Sequence, residues 1–172
     1  MTDLNALIDM LIKEKGGSKE DYLSLMNKIA YHESKGNPTI TQIGGGPGRG
    51  LFQFEVGDHE GGKTAANRLY NYLKSNKKIV PKWLKELNNN NSVDASTLTP
   101  EQQQMLFLGN MREHPKADFS KVWNEEESIE DFWANYHWAG KKVDEYQRRK
   151  SFQESLKSYK EPQPVISKKK DY

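Results

Sequence analysis

Apolar side chains recur at the three- and four-residue spacing of an amphipathic helix over most of the chain. The first row ends before two glycines, and the second begins after a serine that has an aspartate three residues later, as in a capping box. Five more helices are predicted after residue 60 from the same spacing. The apolar positions of the first two rows are Leu4, Leu7, Ile8, Leu11 and Ile12, then Tyr22, Met26, Ile29 and Ala30.

Two regions break the helical pattern. Residues 36–62 are rich in glycine and other turn residues, and within them the run Leu51–Val56 is predicted to be a short strand. From residue 161 onward the chain is rich in proline and lysine, which predicts a loose tail. The sequence therefore predicts a single, mostly α domain over residues 1–160 with a small β-like or irregular insert, followed by a flexible tail over residues 161–172.

The composition of the chain argues against several classes of function. The net charge of the 172-residue chain is only +2, which does not favour a nucleic-acid partner, and its lack of cysteine excludes disulfides and thiolate metal sites. No apolar run approaches the roughly 20 residues that a membrane-spanning helix needs. Charged residues interrupt the apolar pattern of residues 1–15, which predicts a helix rather than a signal peptide.

Glu33 is the first candidate for chemistry. It continues the row of Met26, Ile29 and Ala30, so its carboxylate is expected to point toward the buried side of the helix. Burial disfavours the charged form of a carboxyl group, and the negative end of the helix dipole acts in the same direction. A carboxylic acid that keeps its proton is what a glycosidase needs to protonate a leaving oxygen.

Three segments together resemble the lytic transglycosylase and goose-type lysozyme superfamily. They are Glu33-Ser34 at a helix end, Gly50-Leu51-Phe52-Gln53 after a glycine-rich turn, and, more loosely, the Tyr-containing run 134–140. The sequence around the second segment is most similar to that of phage-encoded members, which act in tails or in DNA ejection machinery. The resemblance implies a lysozyme-like (α+β) fold that cleaves the MurNAc-β-1,4-GlcNAc bond of peptidoglycan without a cofactor. It also implies a virion protein that acts at the bacterial cell wall and contacts other virion proteins.

The resemblance also implies roles for individual residues. Glu33 resembles the catalytic acid, and Ser34 resembles the residue that orients it. Gln53 resembles a position that contacts the glycan or supports the acid.

Tyr136 resembles a tyrosine whose hydroxyl reaches the catalytic acid, although it also shares an apolar helical face. The family's asparagine is missing here, and either Asn135 or His137 takes its polar role. Aromatic side chains are expected to stack on sugar rings. The candidates are Phe52, Tyr70, Tyr136 and Trp138.

Two mechanisms remain open after bond cleavage. In a transglycosylase the muramic acid 6-hydroxyl attacks the anomeric carbon, and the product ends in 1,6-anhydroMurNAc. In an inverting hydrolase a second carboxylate, roughly 6.5–9.5 Å from the first, activates water. Glu55 is the candidate for that base, because a strand over residues 51–56 would place it on the same face as Gln53. Asp58 and Glu60 are nearby alternatives.

Other protein classes are less well supported. Residues 57–64 satisfy the phosphate-loop pattern, but two acidic residues would face the phosphates and the β-α alternation of such folds is absent. His32-Glu33 and His59-Glu60 lack the second histidine of a zinc-hydrolase motif, so no metal site is predicted. A non-catalytic virion protein with a lysozyme-like fold is the remaining alternative.

Overall fold

The computed structural model describes residues 2–57, 61–137 and 144–162. Within these ranges the protein is mostly helical, with one antiparallel pair of two-residue strands, which confirms the predicted fold class. The helices are α1 (Leu4–Lys15), α2 (Lys19–Ser34), α3 (Gly61–Ser75), α4 (Lys82–Asn89), α5 (Pro100–Glu113), α6 (Phe119–Trp123), α7 (Ile129–Phe132) and α8 (Glu145–Lys157). A 3-10 turn covers Ala95–Thr97, and a π-helical turn, Trp133–His137, continues α7 directly.

The ends of α2 are set by local chemistry. The Ser18 hydroxyl accepts from the backbone N–H of Asp21, whose carboxylate accepts from the N–H of Ser18 in return, so the predicted capping box is confirmed. At the other end Lys35 adopts a left-handed conformation with φ 56°, and Gly36 follows with φ 76°. The helix therefore ends at Ser34, with Lys35 as its cap, and leaves the side chains of Glu33 and Ser34 in its last turn.

The core lies around α3 and α5, which make the most extensive helix–helix contact of the described residues. Their close approach depends on Gly109, because a Cβ atom there would lie 2.6 Å from the side chain of Leu69. Helix α1 packs on α5 and on α2, and α8 packs on α2 through the fully buried Phe152. Burial of these apolar faces is the main stabilising term.

The strand predicted over residues 51–56 is wrong for its first half. Residues 51–53 form a turn in which the N–H of Gln53 donates to the carbonyl oxygen of Gly50, and Gln53 has φ 52°. The left-handed backbone interrupts the alternation of a strand, so only Phe54–Glu55 pairs, with Gly48–Arg49. The inference that Gln53 and Glu55 lie on the same face of one strand is therefore wrong as well.

The start of the predicted tail contacts the domain. The Glu161 carboxylate accepts from the Ser24 hydroxyl of α2 at 2.6 Å and lies 3.9 Å from the Lys28 ammonium group. Residues 163–172, which include the three consecutive lysines of the tail, lie outside the described residues. Among the helices that the structure describes, none is long and apolar enough to cross a membrane.

Candidate active site

A polar cleft of about 920 Å³ runs across the protein between the end of α2, the strand pair, α3, α5, the π-helical turn and α8. Its volume is within the roughly 300–1,000 Å³ that ligand sites usually occupy. The described lining includes two carboxylates and three cations. They are Glu33, Glu55, Lys35, Arg68 and Arg148.

Glu33 lies half-buried in the wall of this cleft. Its Oε1 atom accepts a hydrogen bond of 2.6 Å from the indole Nε1 of Trp133 in the π-helical turn. An indole N–H donates and never accepts. Oε1 is therefore held as an acceptor, which fixes the orientation of the carboxyl group.

Trp133 is itself held rigidly, with 1% of its surface exposed. Its ring stacks on Phe152 with centroids 5.0 Å apart, and the His32 ring meets it edge-on at 4.8 Å. Aromatic pairs in these arrangements add packing energy beyond the area they bury. The donor to Glu33 is consequently positioned by the contact between α2 and α8.

His32 is an uncharged member of this aromatic cluster. Burial lowers its pKa to about 4, and the positive charges of Lys35 and Arg148 act in the same direction. Its Nδ1 atom lies 2.9 Å from the Ser155 hydroxyl oxygen of α8. A neutral imidazole suits the space between two apolar rings, because a charge there would be poorly solvated.

Three hydrogen bonds join the three segments that resemble family motifs. The Ser34 hydroxyl, at the end of α2, lies 2.9 Å from the Leu51 carbonyl oxygen and equally far from that of Ala30. His137 Nε2 lies 2.7 Å from the Phe52 carbonyl oxygen, and since a carbonyl only accepts, Nε2 carries a proton. The third bond runs to Glu33 from Trp133, the residue just before the run 134–140, so each segment is tied to the other two directly or through its neighbour.

Ser34 and His137 thus hold backbone rather than the carboxyl group of Glu33. Ser34 is buried and does not contact Glu33 through a side-chain hydrogen bond of the described structure. His137 lines the cleft while it holds the turn at Phe52. Both residues position the site, and their expected contacts with glycan stay predictions.

Tyr136 does not reach Glu33, which corrects the expectation for its hydroxyl. The hydroxyl donates to Glu127 Oε2 at 2.7 Å, and Asn135 Nδ2 lies 3.5 Å from the same oxygen. Trp133, the first residue of the π-helical turn, makes the contact with Glu33 expected of the tyrosine. Tyr136 still lines the cleft.

Phe52 is a core residue, which corrects the expectation that its ring stacks on a sugar. Only 1% of it is exposed, and the ring stacks on Phe107 with centroids 4.5 Å apart. The turn at residues 51–53 directs the ring inward and leaves the backbone toward the cleft. Tyr70 is not among the residues that line the cleft, and Trp138 lies outside the described residues.

The remaining acidic candidates differ in how they are held. Glu55 is exposed on the second strand and lines the cleft, but no side-chain hydrogen bond or ion pair among the described residues fixes its carboxylate. Asp58 and Glu60 lie outside the described residues. Gln53 lines the cleft and donates from Nε2 to the Gly50 carbonyl oxygen at 3.0 Å.

Sequence reasoning missed Gln103, a fully buried residue of α5. Its Oε1 accepts from the Leu51 N–H at 2.8 Å, and its Nε2 donates to the carbonyl oxygens of Pro38 (2.9 Å) and Leu98 (3.0 Å). Gly50 makes room for it, because a Cβ there would lie 2.2 Å from Gln103 Oε1. Glutamine is usually a surface residue, so no sequence signal marked this one.

The described residues contain no group of three or more His, Cys, Asp or Glu side chains that would hold a metal ion. The segment that matched the phosphate-loop pattern is partly outside the described ranges, and its glycines Gly61 and Gly62 begin α3.

Comparison with known proteins gives one match. A family model described as phage tail lysozyme matches residues 3–158, which is most of the chain. No curated protein and no solved structure matches the sequence.

Proposed function

The chain belongs to the phage tail lysozyme family, and we propose that it is a virion-borne lytic transglycosylase that cleaves the MurNAc-β-1,4-GlcNAc bond of peptidoglycan. The domain over residues 1–160 carries this activity at the bacterial cell wall, with glycan strands as substrate and other virion proteins as partners. It needs no cofactor. The hydrogen bond from Trp133 to Glu33 in the wall of the polar cleft is the observation that supports the proposal most directly.

This hydrogen bond assigns different tasks to the two oxygens of Glu33. In a protonated carboxyl group the carbonyl oxygen is the better acceptor, so the bond from the indole N–H to Oε1 favours Oε2 as the oxygen that carries the proton. Oε2 is then the atom that delivers a proton to the glycosidic oxygen. Rigid support of a general acid matters because proton transfer requires hydrogen-bond distance and correct alignment.

The reaction conserves all atoms without water. Glu33 transfers its proton to the oxygen that leaves with GlcNAc, and the bond from that oxygen to the anomeric carbon of MurNAc breaks. The 6-hydroxyl oxygen of the same MurNAc bonds to the anomeric carbon, and its proton returns to Glu33. The products are a GlcNAc 4-hydroxyl end and a 1,6-anhydroMurNAc end.

Glu55 supports a second candidate, a muramidase that uses it to activate water. The residue lines the same cleft as Glu33, which favours this alternative. A base for water must be held at a set distance from the acid, roughly 6.5–9.5 Å in inverting enzymes. Glu55 is exposed, and no side-chain hydrogen bond or ion pair among the described residues holds it, so the transglycosylase is the better-supported mechanism.

Digestion of purified peptidoglycan followed by mass spectrometry tests the proposal. We expect fragments lighter than hydrolysed ones by one water, and we expect Glu33→Gln to abolish cleavage. The substituted amide oxygen still accepts from Trp133, so the variant should fold, which circular dichroism checks. Glu55→Gln is the matched control and should retain activity.

Each other outcome decides among the alternatives. Hydrolysed ends, together with an inactive Glu55→Gln variant, would establish the muramidase. Cleavage by a folded Glu33→Gln variant would refute the assignment of the acid. No cleavage by the unsubstituted protein, on walls of several chemistries, would favour the non-catalytic virion protein.

A further inference from the structure

Arg68 lines the cleft from a helix that sequence reasoning did not connect to substrate. Gly61, Thr64 and Arg68 are spaced by three and four residues, so one face of α3 borders the cleft. The Arg68 Nη1 donates to Asn110 Oδ1 of α5 at 2.9 Å. The guanidinium group is therefore half-buried and fixed between the two central helices.

The charge of Arg68 has no counter-ion in contact among the described residues. No carboxylate of the described residues lies within ion-pair distance, and Asn110, its hydrogen-bond partner, is neutral. Glu113 acts only from farther away, while burial lowers the pKa of Arg68 below its usual range. Burial, and after it the same positive charge, lowers the pKa of His114 on the cleft wall. Half-burying a cation is costly unless an anion compensates it.

The guanidinium group is well suited to receive such an anion. Arginine carries five N–H donors in a planar fork that matches a carboxylate, and the described hydrogen bond of Arg68 uses one. Lys35 and Arg148 also line the cleft, but both are exposed, and Lys35 lies over the Tyr31 ring at 4.5 Å. Of the cleft cations that the structure describes, Arg68 is the one with a fixed position and a half-buried charge.

We propose that Arg68 recognises a carboxylate on the lactyl-peptide substituent of muramic acid and thereby selects peptidoglycan over uncharged glycans. This proposal rests on the proposed function, because it assumes that MurNAc enters the cleft. GlcNAc oligomers offer similar rings and acetamido groups but carry no carboxylate. Arg68 is in this view a specificity residue, whereas the bond is broken at Glu33.

Binding to a cleavage-incompetent protein tests the proposal independently of activity. In the Glu33→Gln background, calorimetry would compare soluble peptide-bearing glycan fragments with the same fragments after methyl esterification, and with chitin oligomers. We expect roughly tenfold or greater preference for free carboxylates, the size of one charge-assisted hydrogen bond. Adding Arg68→Gln should remove the preference and leave affinity for esterified fragments unchanged. Adding Arg148→Gln, the matched control, should leave the preference in place.

Other results would overturn the proposal. Equal weakening of both fragment forms by Arg68→Gln would show a structural role, and an absent preference in the parent would show that no carboxylate is recognised. Arg68→Lys gives a second check, because a retained charge without the fork should keep only part of the preference. If the preference is present but the unsubstituted protein cleaves no wall, the proposed function fails and carboxylate recognition stands.

Discussion

Substitution of Gln103 by methionine tests how the candidate site is held. Methionine has a similar length and shape, so the change removes hydrogen bonds and creates little cavity. Three backbone groups lose their partner, namely the N–H of Leu51 and the carbonyl oxygens of Pro38 and Leu98. A buried group left unpaired costs about 1–3 kcal/mol.

The expected loss of stability is smaller than three times the cost of one unpaired buried group. The bond to the Leu51 N–H is buried, whereas those to the two carbonyl oxygens are only partly buried, so water can compensate them in part. We therefore expect a loss of about 2–5 kcal/mol in the free energy of unfolding, a large share of the 5–15 kcal/mol typical of a domain. For a chain of this size, this corresponds to a fall in Tm of roughly 4–20 °C.

Urea unfolding followed by circular dichroism measures this loss. Gln104→Met is the matched control, because Gln104 is the next residue of α5, is half-buried and makes no side-chain hydrogen bond among the described residues. The control should change stability by less than about 1 kcal/mol, because it leaves no buried polar group without a partner. Peptidoglycan cleavage below the Tm should fall in the Gln103 variant only, because Gln103 holds the turn at Leu51, which belongs to the Gly50-Leu51-Phe52-Gln53 motif. Equal stabilities of the two variants would refute the reasoning.

Two further predictions concern the aromatic cluster. Trp133→Phe removes the donor to Glu33 and should lower kcat on peptidoglycan by about ten- to a hundredfold, which is the worth of a hydrogen bond to a charged group. Trp83→Phe on α4 is the control. An equal loss of kcat in both variants would contradict the role of Trp133 in holding Glu33. His32, whose pKa burial lowers to about 4, binds its proton more weakly in the folded state than in the unfolded state. Its contribution to stability is therefore complete above the unfolded pKa of about 6.5 and is lost as the pH falls toward 4. In His32→Gln, the free energy of unfolding measured with urea should depend less on pH over that window. An unchanged pH dependence would refute this prediction.

The helical frame followed from the sequence because its causes are local. Apolar spacing, the Ser18 capping box and the Gly36 stop depend on residues within one or two turns of each other. These signals also sufficed to place Glu33 in the last turn of α2. The short strand was harder, since a left-handed Gln53 within an apolar run leaves no mark in the hydrophobic pattern.

The partners within the site followed only from the tertiary structure. The bond between Glu33 and Trp133 joins residues 100 positions apart, and Trp133 begins a π-helical turn that helical spacing does not reveal. Gln103 reaches Leu51 across 52 positions, and Phe52 faces Phe107 rather than the cleft. The sequence by itself determined which carboxyl group stands at the end of its helix, because helix formation is local. The packing of α8 and the π-helical turn against α2 decided which side chain holds that carboxyl group, because such contacts exist only once the distant segments have come together.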